Sequence, residues 1–244
     1  MSKIVVLNAK GGSGKTTVAT NLAAYYASRG VATALFDFDP QASSTYWLSV
    51  RDPQRPQVHG VEAYRPLRAG ATRAWQWRIP SQASNVIVDT PAAVPKESLG
   101  DFVAGASAVL VPVLPSAIDV HAATRFIQDL LTVMRARQAS ARVAVIGNRM
   151  IESGRAFEGF ERVLASLNVP LVTALRESRC YGEAIGRGLG IHELDAPSVQ
   201  QDREQWQTLC DWLAAVRSRA TGAAGFASAG AVDYAVAAPL SSVI

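Results

Sequence analysis

The chain has 244 residues, 49% of them hydrophobic and 18% charged, with a formal net charge of +4. That length and apolar content suit one α/β domain with a sizeable core, while Cys180 and Cys210 are too few and too far apart to hold a metal cluster. Every long apolar stretch is broken by proline, glycine or charge, as in Val109-Leu110-Val111-Pro112-Val113-Leu114-Pro115, which excludes a membrane-spanning helix.

In chain order, the first element is a short apolar strand over 4–8. It begins so near Met1 that no secretory leader is expected, and the chain reads as cytoplasmic. Residues 10–17 follow, Lys10-Gly11-Gly12-Ser13-Gly14-Lys15-Thr16-Thr17, and a helix is expected over 15–29. Strand, glycine loop and helix in that order are the context a phosphate cradle requires. Gly11, Gly12 and Gly14 let the backbone turn so that successive N–H groups point at phosphate oxygens, and the helix adds the positive end of its dipole. Lys15 is expected to reach the β and γ phosphates and Thr16 to ligate Mg²⁺, with Ser13 and Thr17 completing the nucleotide-binding loop. A glycine-rich turn beside two surface lysines is the alternative that the flanking strand and helix disfavour.

The second strand, over 32–37, ends in Phe36-Asp37-Phe38-Asp39-Pro40-Gln41, and a helix is expected over 41–49. Carboxyl ends of parallel strands are where ligands sit in open α/β sheets, so both aspartates are expected to face the same crevice as the glycine loop. Taken alone, the run is an Asp-Pro turn. Residues 51–84 are the hardest to assign, because Pro53, Pro56, Pro66 and Pro80 interrupt any long element. Short strands are expected over Val58–Tyr64 and Trp75–Ile79, with Trp75 and Trp77 packing a strand edge on the core. Arg51 to Arg78 holds six of the 20 arginines against Asp52 and Glu62, a local excess compatible with phosphate backbones.

The run Val86-Ile87-Val88-Asp89 is a third strand ending in a carboxylate, the Walker B arrangement, with Asp89 holding Mg²⁺ directly or through water. Thr90-Pro91-Ala92-Ala93 is then expected to act as a switch segment sensing the γ phosphate. Further strands are expected over 107–113, 142–147 and 169–174, alternating with helices over 96–103, 118–138, 155–167, 180–187 and 201–218. This alternation specifies an α/β, doubly wound, mostly parallel sheet with helices on both faces. Residues 1–219 read as one domain. Residues 220–244 are rich in Ala, Gly and Ser with a single charge, Asp233, and are expected to form a flexible or loosely docked tail. His59, His121 and His192 lack the spacing of a metal site.

Lys10 together with the Gly-Gly pair resembles the deviant Walker A motif of the ParA/MinD family of ATPases. The resemblance implies that Lys10 crosses a homodimer interface to touch the partner's nucleotide, so that dimerisation depends on ATP. The Asp-x-Asp-Pro-Gln segment implies that Asp39 orients or activates the attacking water, while Asp37 supports Lys15 or the metal shell. Lys10, Lys15 and Asp39 are thus the implied catalytic residues, and Thr16, Asp37 and Asp89 the implied Mg²⁺ site. Asn148-Arg149, after the fifth expected long strand, stands where the family contacts adenine. The GTPase pattern Asn-Lys-x-Asp is absent, since Arg149 and Ile151 occupy the discriminating positions. The run Arg176-Glu177-Ser178-Arg179-Cys180-Tyr181-Gly182-Glu183-Ala184 resembles the family's segment that closes the nucleotide pocket.

The same resemblance implies non-specific DNA binding by the ATP dimer, with Arg155, Arg179, Arg187, Arg217 and Arg219 as candidates. Arg217 and Arg219 are expected to finish a helix, where its dipole alone favours cations. An adaptor, ParB-like or McdB-like, would stimulate hydrolysis on the nucleoid. A tail without Lys or Arg is not expected to bind anionic lipid as the MinD-like branch does. The compact length resembles members that space carboxysomes (McdA-like), with plasmid or chromosome segregation second and a small-molecule ligase or kinase third. An iron–sulfur relative is excluded, because residues 90–179 contain no cysteine.

Overall fold

Both faces of the sheet are covered, which is why its strands read as continuous apolar runs and not as alternating ones. The computed structural model describes all residues except 67–69, 71, 73–75, 151–154, 196 and 225–244, and the side chains of these except 155–158 and 220–224. Among the described residues the strands are β1 (Ser2–Val6), β2 (Thr33–Asp37), β3 (His59–Glu62), β4 (Asn85–Asp89), β5 (Ala108–Val113), β6 (Arg142–Met150) and β7 (Leu171–Arg176). The helices are α1 (Lys15–Ser28), α2 (Ser43–Ser49), α3 (Lys96–Val103), α4 (Ala117–Ala136), α5 (Arg155–Ser166), α6 (Arg179–Gly186) and α7 (Gln200–Ala224). The order across the sheet is β3-β2-β4-β1-β5-β6-β7, and every pairing is parallel.

Successive strand residues point to opposite faces, and the core divides accordingly. Ile4, Val6, Leu35, Ile87, Leu110 and Ile146 pack against α1, Trp47 of α2, α6 and α7. Val5, Val88, Val109, Val111 and Val145 pack with Leu99 of α3, Phe126 and Ile127 of α4 and Phe160 of α5. Full burial of one such side chain is worth about 1.5–3 kcal/mol, more than a typical single hydrogen bond at about 1 kcal/mol, so the two apolar layers set where the strand ends lie.

The chain leaves β1 toward β2 on one side and later adds β5 on the other. A crevice therefore forms over the carboxyl end of β1. Register fixes what lines it: Val6 pairs with Asp89, and Asp37 pairs with Asp89.

Two expectations need correction. No strand forms over residues 76–79: Gln76 and Trp77 lie in a helical turn followed by irregular chain, while Trp75 lies outside the described residues. Trp77 is half-buried and sits edge-on to Phe36 at 6.4 Å and Phe38 at 5.3 Å at the margin of the core, so aromatic packing was legible where backbone pairing was not. Finally, α7 continues to Ala224 instead of stopping at 218. The Ala-rich sequence beyond Arg219 sustains the helix, so Arg217 and Arg219 do not finish it and the dipole argument does not apply to them.

Candidate functional site

The glycine loop leaves β1 through Asn8, whose amide donates to the Pro112 carbonyl at 2.6 Å and whose Oδ1 accepts from the Lys10 N–H at 3.1 Å. This fastens the loop to the end of β5. Gly12 and Gly14 both adopt positive φ, +73° and +95°, a region costly for other residues. A Cβ on Gly14 would also lie 2.0 Å from Asn148 Nδ2. Gly14 stands at the N-terminus of α1 with no side-chain cap, so the first N–H groups of that helix are left to a ligand, the arrangement that binds phosphate.

Around the loop stand three carboxylates. Asp89 at the end of β4 is buried; its Oδ2 accepts from Ser44 Oγ at 2.6 Å, and its Oδ1 has no partner. Burial pushes its carboxyl up to about 7, opposed by the neighbouring hydroxyls of Ser44 and Thr16 and by the attraction of Lys15, with Asp37 adding to the rise. Asp37 is also buried, and burial raises it as well. Its oxygens are occupied: Oδ1 accepts from the Asp39 N–H at 3.1 Å, and Oδ2 from the Thr45 N–H at 2.8 Å and Thr45 Oγ1 at 2.9 Å. Asp37 thereby satisfies an orphan donor in the first turn of α2, a place that favours an anion. Asp39 is partly exposed, and its Oδ1 accepts from the Gln41 N–H at 3.0 Å.

The two lysines differ in setting. Lys15 is buried, and desolvation lowers it from the usual lysine range, against the attraction of Asp89 and Asp39. Its Nζ donates to the Lys10 carbonyl at 3.3 Å. Lys10 is half-exposed, and its ammonium pairs with Asp119 of α4. An unpartnered buried carboxylate oxygen on Asp89, with the Thr16 hydroxyl beside it, suits a hard divalent cation. Mg²⁺ commonly takes only one or two carboxylates, with water and phosphate oxygens completing its shell. Among the described residues no three His, Cys, Asp or Glu side chains form a preformed metal cluster.

Lys10, Lys15, Thr16, Asp37, Asp39 and Asp89 are thus brought to one crevice. Asn148 reaches it from below: buried at the end of β6, its Nδ2 donates to the Ser13 carbonyl at 2.8 Å. Arg149 beside it is exposed with φ +52°. The candidate arginines are not gathered together. Arg179 begins α6 at the carboxyl end of the sheet, and Arg187 pairs with Glu183 at 2.8 Å. Arg219 lies by Arg142 and Asn168, at the amino ends of β6 and β7, with Arg217 exposed one half-turn before it on α7. The side chain of Arg155 lies outside the described residues. No described helix is long and apolar enough to cross a membrane.

Ser44, Thr45, Asn8 and Asp119 escaped sequence reading. The signal for Ser44 and Thr45 was present, since a run of hydroxyl residues one place after Asp-Pro-Gln opens α2, but their targets lie at the ends of strands.

The pattern described as CobQ/CobB/MinD/ParA nucleotide binding domain matches residues 4–191. Maintenance of carboxysome distribution protein A of Halothiobacillus neapolitanus is 27% identical over 200 residues, 79% of this chain and 88% of that protein. Chromosome-partitioning ATPase Soj of Thermus thermophilus is 33% identical over 135 residues, 46% of this chain and 54% of that protein. The structure of apo McdA from Cyanothece matches with a TM-score of 0.64 at 18% identity, covering 86% of this chain and 99% of that one. An ATP complex of a variant of that McdA gives 0.61 at 16% identity, over 86% and 96% of the two chains. At such identities the structural likeness concerns the fold.

Proposed function

Because the chain belongs to the CobQ/CobB/MinD/ParA nucleotide-binding family, we propose that it is a ParA-type ATPase. It dimerises on binding ATP, associates with nucleoid DNA without reading sequence, and positions an intracellular cargo with an adaptor that stimulates hydrolysis. One observation carries the reading: a single loop holds two lysines in different settings, Lys15 buried and turned inward, Lys10 half-exposed on the rim. A nucleotide site that served only its own protomer has no need of the second cation.

In this reading the loop N–H groups and Lys15 hold the β and γ phosphates, and Lys10 completes the partner's site. Thr16 and Asp89 hold Mg²⁺, whose chemistry there is to neutralise charge on the phosphoryl oxygens. Asp37 positions Asp39 through the 37–45 turn. Asp39 accepts a proton from the attacking water as its oxygen bonds to the γ phosphorus and the bridging bond to ADP breaks. Asn148 holds the loop from below, and its amide oxygen would contact the base. The relative named for carboxysome distribution favours a carboxysome-like cargo. The Soj match is the observation favouring the second reading, segregation of a plasmid or chromosome.

The test is binding to random-sequence duplex DNA with a nonhydrolysable ATP analogue, with ADP, and without nucleotide. Binding is expected only with the analogue, and should fall steeply as salt rises because counterions are released. Binding that ignores nucleotide, or is absent throughout, overturns the DNA-linked role.

A further inference from the structure

Lys10 is the loop residue whose proposed work lies across a subunit boundary, yet its ammonium is paired with a carboxylate of its own chain, Asp119. That carboxylate is held rigidly. Asp119 stands in the first turn of α4, where an anion is favoured, and its N–H donates to the Ser116 hydroxyl at 3.1 Å. The same hydroxyl donates to Asp119 Oδ2, leaving Oδ1 for Lys10. Although burial alone would raise it, the hydrogen bonds from Lys10 and Ser116 hold its carboxyl below the usual range.

The two partners are unequal in freedom: the Asp119 side chain is 10% exposed and that of Lys10 is 42% exposed. Asp119 is a fixed station and Lys10 a movable arm. To reach phosphate oxygens in a neighbour, the ammonium must give up this carboxylate. We infer that Asp119 restrains Lys10 within its own protomer and so sets how much phosphate charge a second subunit must present before two chains join. A terminal γ phosphate offers more negative charge than the single carboxylate it displaces; ADP, lacking that group, offers less. Asp119 therefore sharpens the choice of ATP over ADP at the dimerisation step. This inference rests on the proposed dimer.

An ion pair with one arm in solvent is individually weak, but a symmetric dimer releases two of them. Sedimentation velocity over a concentration series, with a nonhydrolysable ATP analogue or with ADP, is the measurement. Asp119→Asn should associate about tenfold more tightly with the analogue and show association with ADP that the unaltered chain lacks. The double variant Lys10→Ala with Asp119→Asn should match Lys10→Ala alone, which a general packing effect of Asp119 would not produce. If Asp119→Asn lowers Tm, Asp119→Ser, which suits a first helical turn, replaces it. Equal or weaker association of the Asp119 variants, or an effect that persists without Lys10, overturns the restraint alone. An unaltered chain that stays monomeric with the analogue overturns the functional reading and the restraint with it.

Discussion

Ser44, in the first turn of α2, donates its hydroxyl to Asp89 Oδ2 at 2.6 Å at the end of β4. The next residue, Thr45, gives both its N–H and its hydroxyl to Asp37. The short helix α2 therefore fastens both buried aspartates from one turn, and whatever charge settles at the site is felt along α2.

Replacing Ser44 with alanine leaves a buried carboxylate oxygen without a donor. The expected loss of stability is about 1–3 kcal/mol by urea unfolding, with ATP hydrolysis down roughly tenfold as Asp89 becomes harder to keep ionised. Ser44→Thr should retain most of both. An alanine variant as stable and active as the unaltered chain would show the bond to be incidental.

Gly14→Ala places a methyl group 2.0 Å from Asn148 Nδ2 and asks alanine to hold φ +95°. The conformational part alone is about 1–2 kcal/mol, and the collision displaces the loop. Calorimetric titration should show nucleotide affinity reduced at least about tenfold. Adding Asn148→Ala relieves the collision but not the strain, so recovery should be partial; full recovery, or none, contradicts this division.

Arg51 spends every N–H it has: two bonds to the Pro56 carbonyl, one to Gly188 and two to the Glu193 carboxylate. Both side chains are almost wholly buried, at 3% and 4% exposure. Arg51→Met strands a buried carboxylate, at an expected cost of about 3–5 kcal/mol, a Tm fall of roughly 10 °C. Because buried pairs replaced together by apolar groups lose far less, Arg51→Met with Glu193→Leu should melt well above the single variant. Additive losses in the double variant would refute that account.

His192 supplies a pH dependence. Burial depresses its imidazole from 6.5 to about 4, with Glu193 opposing and Arg29 and Arg51 assisting. The folded chain binds fewer protons than the unfolded chain between those values, so stability is full above about pH 6.5 and is lost as pH falls toward 4. Unfolding at pH 5 should require about 2 kcal/mol less than at pH 7.5. Glu193, whose carboxyl is also held below its ordinary value despite burial because of Arg51 and the Gly190 N–H, acts in the same direction below pH 4.5. His192→Gln should flatten the upper part of this curve, and an unchanged curve would exclude His192 as its source.

Legibility followed the range over which information is stored. The loop from Lys10 to Thr17, the strands ending in Asp37 and Asp89 and the alternation of elements lie within windows of a few residues, where glycine conformation and apolar runs act locally. Residues 76–79 were misassigned because aromatic burial and strand pairing give the same sequence signal when prolines crowd the segment. The end of α7 was misplaced because alanine and glycine serve both tails and helices.

By itself, then, the amino-acid order determined the parallel α/β fold, the glycine loop and which carboxylates end beside it. Only the tertiary structure decided their division of labour: Asp37 saturated by Thr45 and Asp39, Asp89 left with a bare oxygen, Asn148 braced beneath Ser13, and Lys10 held by Asp119. Those pairings join residues as many as 135 positions apart in sequence. They arise from strand register and from two apolar layers packing at once, quantities that no short stretch of chain contains.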